Sequence, residues 1–286
     1  SDPLTGSAEV GDFAAALFEF MDAVGIAQTA AYGFHSGATI LVTALRRDPS
    51  RFTSIAVGGY AQWTAEEQEI FEEHYHPPFR PSAYGEHLTW VWNRMLEQSW
   101  FFPWFDVRDA NRMPRAHDDV QRTHGWVSDM LDSGDAYRMG YGAVMRAASE
   151  IPNADEPTVP LLWAAYDGDP LQIHIERITH LPDLWRTQLV KDPSDLEDVC
   201  LAHIQATPQP ATPSLQEDHN AGFIPVQSKG FDGLIHWQGP RGAASVLLHA
   251  PGRSGNLLDA DDMLCIDLAG HGLSDDFASG SQADFN

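Results

Sequence analysis

The stretch from Gln28 to Gly59 constrains the fold more than any other part of the chain. Gln28-Thr29-Ala30-Ala31-Tyr32 reads as a short buried strand, and Gly33-Phe34-His35-Ser36-Gly37 follows as a tight, glycine-bounded turn. Ala38 to Leu45 has helical apolar spacing and stops before Asp48-Pro49, and Phe52 to Val57 is a second strand closed by Gly58-Gly59. A strand, a sharp turn, a helix and another strand make a βαβ unit, and such a unit demands a parallel sheet with helices covering its faces. Upstream, Phe13, Leu17, Phe20, Met21 and Val24 repeat at helical spacing, so Asp12 to Val24 is expected to be an amphipathic helix capped by Asp12.

From Ala61 to Ile151 the pattern changes. Glu66-Glu67-Gln68-Glu69-Ile70-Phe71 opens a helical stretch that carries Trp90, Trp92, Trp100, Phe101, Phe102, Trp104 and Phe105, without period-2 alternation. The expectation is an inserted helical subdomain over 61–151. Sheet pattern returns at Val159 to Tyr166, followed by the turn Asp167-Gly168-Asp169-Pro170. Arg186 to Val190 is a weaker strand, and Ser194 to Ile204 a helix capped by Ser194. The Pro-rich run over 207–213 is the clearest linker. Beyond it, Gly233 to Trp237 reads as part of a hairpin. Ala244 to His249 and Met263 to Leu268 read as buried strands of parallel type, and the tail from Asp275 to Asn286 as polar.

Charge narrows the partners. With 41 acidic and 17 basic side chains among 286 residues, the formal charge is −24, and only Lys191 and Lys229 are lysine. Such a surface repels phosphate backbones and anionic lipid, so neither nucleic acid nor membrane is an expected partner. No apolar run reaches the ~18–20 residues of a spanning helix. Ser1 to Gly6 has neither the basic nor the apolar region of a signal peptide. Cys200 and Cys265 stand apart, as isolated buried thiols do. The expectation is a soluble, cytoplasmic protein that works on a small molecule, as a monomer or a homodimer.

Several segments together resemble the α/β-hydrolase fold family, in its cap-bearing branch. Val246-Leu247-Leu248-His249-Ala250-Pro251-Gly252 looks like that family's oxyanion segment, and Ile266 to Asp275 like its D-x-x-G-H-G-x-S-D stretch. Both precede the nucleophile elbow in ordinary members; here both follow it. Ser1-Asp2-Pro3 reads as a continuation of Gly270-His271-Gly272-Leu273, so a circularly permuted order is expected. In that arrangement 1–60 and 152–286 form one core around a mostly parallel sheet, the run at 207–213 joins the original ends, and 61–151 is the cap. The strand at 263–268 then belongs in the sheet of the strands at 28–32 and 52–57.

The resemblance implies site residues. The family's elbow is G-x-S-x-G, a strained strand-to-helix turn that presents its nucleophile above the sheet. Aligning Gly33 and Gly37 puts His35 at the nucleophile position and Ser36 one residue late. His35 is then a general base or a covalent nucleophile. Asp169 occupies the family's acid position, where it would orient an imidazole, with Asp167 as its substitute; the plainer reading of both is turn chemistry. The loop after the last core strand, Lys191 to Asp195, holds no histidine, and His174, His180 and His203 lie elsewhere. An ordinary Ser-His-Asp triad is therefore not evident. Ala250 and Ser36 would supply oxyanion N–H donors, and Arg253 a carboxylate contact. His87, Trp92 and Trp104 are candidate pocket residues of the cap, their plainer reading being packing.

His74-Tyr75-His76 and His35 lack metal-ligand spacing, and the glycines of 230–242 form no phosphate loop, so neither metal nor cofactor is expected. Three functions remain open. One is a hydrolase acting on a small, partly apolar carbonyl or ester. Another is a lyase or decarboxylase-like member using His35 as base. The third is a silent ligand-binding protein.

Overall fold

The structure is a computed structural model that describes residues 8–78, 80–134, 136–208, 220–228, 231–240, 242–252, 254 and 262–276. The chain divides into two compact units, 1–213 and 214–286. The expected linker at 207–213 falls mostly outside the described residues, as do Ser1 to Gly6, Arg253 and the tail beyond 276.

The first unit contains α1 (Val10–Ala23), β1 (Thr29–Phe34), α2 (Ser36–Arg47), β2 (Phe52–Gly58), α3 (Ala65–His74), α4 (Glu86–Gln98), α5 (Val120–Ser133), α6 (Ala136–Arg146), β3 (Leu161–Tyr166), β4 (Trp185–Val190) and α7 (Pro193–Gln205). Its four strands are parallel and ordered β1-β2-β3-β4, with Gly33 opposite Val57, Ile55 opposite Leu161, and Leu161 opposite Trp185. Both faces are buried, and the alternation of side chains sorts them. Ile55, Val57, Leu161 and Trp163 pack with Ala38, Leu41, Val42 and Leu45 of α2. Ala56, Leu162 and Ala164 point the other way, onto Leu196 and Cys200 of α7. The βαβ expectation over 28–59 is met. Two caps differ from expectation. Helix α1 starts at Val10, with the Asp12 carboxylate accepting the Glu9 N–H at 2.8 Å. Helix α7 is capped at Asp192, because Pro193 takes the first helical position, where a missing N–H costs nothing.

The second unit contains β5 (Ala221–Ser228), β6 (Phe231–Gln238), β7 (Val246–Leu248) and β8 (Leu264–Ile266), in the order β5-β6-β8-β7. β5 and β6 form an antiparallel hairpin, β8 runs antiparallel to β6, and β7 runs parallel to β8. The expectation that the 263–268 strand shares a sheet with the strands at 28–32 and 52–57 is not met. β8 has both edges occupied by β6 and β7, so its backbone groups are used within its own sheet. β7 is also less buried than its apolar run suggests, with Val246 56% and Leu248 59% exposed, because it is the edge strand. The loop after β8 is pinned by the buried Asp267. Its carboxylate meets His236 Nδ1 at 2.8 Å and accepts the Leu273 N–H at 3.2 Å.

Among the described residues no helix is long and apolar enough to cross a membrane.

Candidate active site

In a parallel sheet the C-terminal ends of neighbouring strands lie side by side, and ligands of open α/β sheets bind outside that edge. Three such ends meet here: His35 follows β1, Gly59 follows β2, and Asp169 comes three residues after β3. His35 is the only non-glycine residue at positive φ among those described, with φ 48° and ψ −106°. Its N–H donates to the Gly58 carbonyl at 2.8 Å, which ties the turn to β2. The turn also requires Gly33. A Cβ there would lie 2.6 Å from the backbone of Gly37 and 2.9 Å from the Ala38 nitrogen. Such a backbone is costly for an ordinary residue and persists only where the surroundings dictate it.

The His35 imidazole stacks on Phe34, with ring centroids 3.8 Å apart, and its Nε2 lies 3.1 Å from Asp169 Oδ1. The Asp169 side chain is fully buried while that of His35 is 32% exposed. Oδ1 of Asp169 also accepts the Leu171 N–H at 2.8 Å, and its Oδ2 is buried with no hydrogen-bond partner. A carboxylate is acceptor-only, so in the neutral imidazole tautomer that donates from Nε2 the Nδ1 lone pair is left free. Beside the imidazole, the N–H groups of Ser36 and Gly37 open a 12-residue helix. They belong to the first turn, where donors have no intrahelical acceptor and the dipole favours negative charge.

His35 and Ser36 line a cavity of about 260 Å³. Helices α4 to α6 close it with Gln98, Arg122, Trp126 and Tyr141, and Trp63 and Phe102 complete an aromatic wall. Burial raises the phenols of Tyr75 and Tyr166, which also line the cavity, above their ordinary value, and the charge of Asp169 raises Tyr166 further. Both stay protonated and can donate.

The other sequence-derived candidates lie elsewhere. His87 holds Ser82, its Nδ1 accepting that N–H at 3.0 Å. Trp92 packs on the cluster of Val91, Met95 and Val127. Trp104 is buried, with its indole N–H donating to the Tyr75 carbonyl at 3.0 Å. None of the three lines the cavity; Trp92 and Trp104 are part of the packing of the helices. Ala250 belongs to the second unit, where its carbonyl meets His249 Nδ1 at 2.9 Å and the neighbouring Gly252 N–H donates to His271 Nε2 at 2.9 Å. Of the histidines outside the elbow, His174 is buried in the first unit, with Nδ1 accepting the Gln62 N–H at 2.7 Å. Sequence spacing does not single out Trp63, Trp126 and Arg122, because it reveals neither how the loop before α3 runs nor which faces of the helices meet.

No protein-family model matches the sequence, and no curated protein matches it. Solved structures do match. An epoxide hydrolase from Mycobacterium thermoresistibile superposes with a TM-score of 0.52 at 14% identity, covering 73% of this chain and 79% of its own. An esterase from Exiguobacterium antarcticum does so with a TM-score of 0.51 at 11% identity, covering 72% and 76%. The architecture is that of the α/β-hydrolase fold, with a four-stranded parallel sheet carrying helices on both faces. In this chain the turn between β1 and α2 carries His35 at positive φ.

Proposed function

We propose that the protein is an α/β-hydrolase-fold enzyme in which His35, held by Asp169, is a general base acting on a small, partly apolar carbonyl or ester-type substrate, with helices α3 to α6 as its cap. The 3.1 Å contact between His35 Nε2 and Asp169 Oδ1 carries this reading. It leaves Nδ1 as the basic nitrogen of a ring that lines an aromatic cavity.

In this scheme Nδ1 removes a proton from a water molecule as its oxygen adds to the substrate carbonyl carbon. The carbonyl π electrons move to oxygen, and the first-turn N–H groups of α2 receive the oxyanion. When the tetrahedral species collapses, the C–O bond to the alcohol breaks and the departing oxygen takes the proton back from His35. Asp169 remains ionised throughout and stabilises the imidazolium. No acyl-enzyme forms, so Ser36 is not the nucleophile.

The test compares His35→Ala with Ser36→Ala on a panel of p-nitrophenyl esters, together with fluorophosphonate labelling. A positioned general base contributes about 10²–10⁴-fold, so His35→Ala should lose at least a hundredfold in kcat/KM and Ser36→Ala much less. Covalent labelling of Ser36 with loss of activity would reverse the assignment in favour of a shifted serine elbow. Failure of the wild type to hydrolyse any ester, combined with His35-dependent exchange of a substrate C–H proton, would favour the lyase reading, in which the same base removes a carbon-bound proton.

A further inference from the structure

We infer that the cavity beside His35 takes a substrate that carries a carboxylate, and that Arg122 is the residue that recognises it. This rests on the proposed substrate site but not on the proposed reaction.

The first reason is where Arg122 stands. Acidic side chains outnumber basic ones 41 to 17 in this chain, and several of its arginines pair with a carboxylate. Arg46 has Glu150, Arg51 has Asp22, Arg115 has Asp192, Arg146 has Glu9, and Arg177 has Glu67. Arg122 lines the cavity and has no such partner among the described residues. Its guanidinium instead lies over the Trp126 ring, 4.8 Å from the centroid. That cation–π contact is not an ion pair with a carboxylate, so the guanidinium N–H donors can still meet a planar anion.

The second reason is the wall around it. Among the described residues no Asp or Glu lines the cavity, and Arg122 is the one guanidinium in a mainly aromatic and aliphatic wall. A second guanidinium stands behind the wall. Arg94 is 1% exposed, its Nε and one terminal nitrogen have no hydrogen-bond partner, and its other terminal nitrogen donates to Gln98 Oε1 at 2.9 Å. Gln98 itself lines the cavity. A buried guanidinium with no counter-anion among the described residues is costly by itself, and it raises the potential at the cavity wall. The negative charge of the whole chain opposes anions only at long range, where salt screens it beyond about 8 Å.

The experiment titrates phenylacetate and its neutral isostere phenylacetamide into wild type, Arg122→Gln, Arg122→Lys and His35→Ala, reading tryptophan fluorescence and calorimetry. The wild type should bind the carboxylate about 10- to 100-fold more tightly than the amide, the range of a charge-assisted hydrogen bond. Arg122→Gln should abolish that preference, Arg122→Lys should keep part of it, and His35→Ala should keep it while losing turnover. Equal binding of the two ligands by wild type, binding of neither, or an unchanged preference in Arg122→Gln would overturn the inference. So would a preference that vanishes in His35→Ala. A preference that depends on Arg122 in an enzyme that hydrolyses no ester would uphold the inference and remove only the proposed reaction.

Discussion

Gly59→Ala puts one methyl group into the gap between His35 and Asp169. The new Cβ would lie 2.6 Å from His35 Cδ2, 2.8 Å from His35 Nε2 and 2.9 Å from Asp169 Oδ2. Ordinary carbon contacts are about 3.5–4.0 Å, so the imidazole must retreat by roughly 1 Å, stretching a 3.1 Å hydrogen bond beyond any useful length. A displacement of about 1 Å in catalytic geometry costs on the order of 10²-fold. Gly59 also has φ +62°, so an alanine there adds a backbone cost of about 1–2 kcal/mol. Gly134→Ala separates the two effects. That glycine has φ +53° at the end of α5 and nothing within 4 Å of the built Cβ. Both variants should lose thermal stability through the backbone, Gly59→Ala the more because of its clash, and only Gly59→Ala should lose about a hundredfold in kcat/KM, measured with a p-nitrophenyl ester. Retention of kcat/KM within twofold by Gly59→Ala would refute the reasoning, since the His35–Asp169 contact would then be irrelevant to turnover.

Two further expectations concern buried titratable groups. Burial, reinforced by Arg177, lowers His174 to about 4 from the ordinary 6.5. The unfolded chain therefore binds a proton that the native state refuses, so the stabilising contribution is complete above pH 6.5 and declines as the pH falls towards 4. His174→Asn, which can still accept the Gln62 N–H, should flatten that part of a melting-temperature profile; an unchanged slope would assign it to other groups. Burial raises the Cys200 thiol to about 12, and Cys265 is raised in the same way. Iodoacetamide at pH 8, followed by mass spectrometry, should modify neither cysteine until the protein is unfolded, and rapid native labelling of Cys200 would contradict its packing between α7 and the sheet.

The first unit was legible because its signals are local. Gly33, Gly37 and the flanking apolar runs define strand, turn and helix, and the apolar segments 52–57 and 159–166 add two more parallel strands. Once those strands are parallel, His35 and Asp169 are brought to one edge although 134 residues separate them. The cavity wall was not legible. Trp92 and Trp126 lie on α4 and α5, and which one faces the ligand depends on how the two helices roll against each other. The second unit shows a different limit. Val246 to Leu248 and Leu264 to Ile266 were readable as strands, but an apolar run does not say which sheet it joins, and β8 pairs with β6 and β7.

The bend at position 35 is enforced from outside that residue. Gly33 gives way to the Gly37 backbone, the Gly58 carbonyl anchors the turn, and the first turn of α2 begins immediately after it. The imidazole contributes to none of these constraints. Position 35 therefore behaves as an interchangeable socket: the scaffold presents whatever side chain the codon specifies at the same place above the sheet. In a lineage built on such a turn, the type of chemistry can change by single-codon steps while the fold is inherited intact.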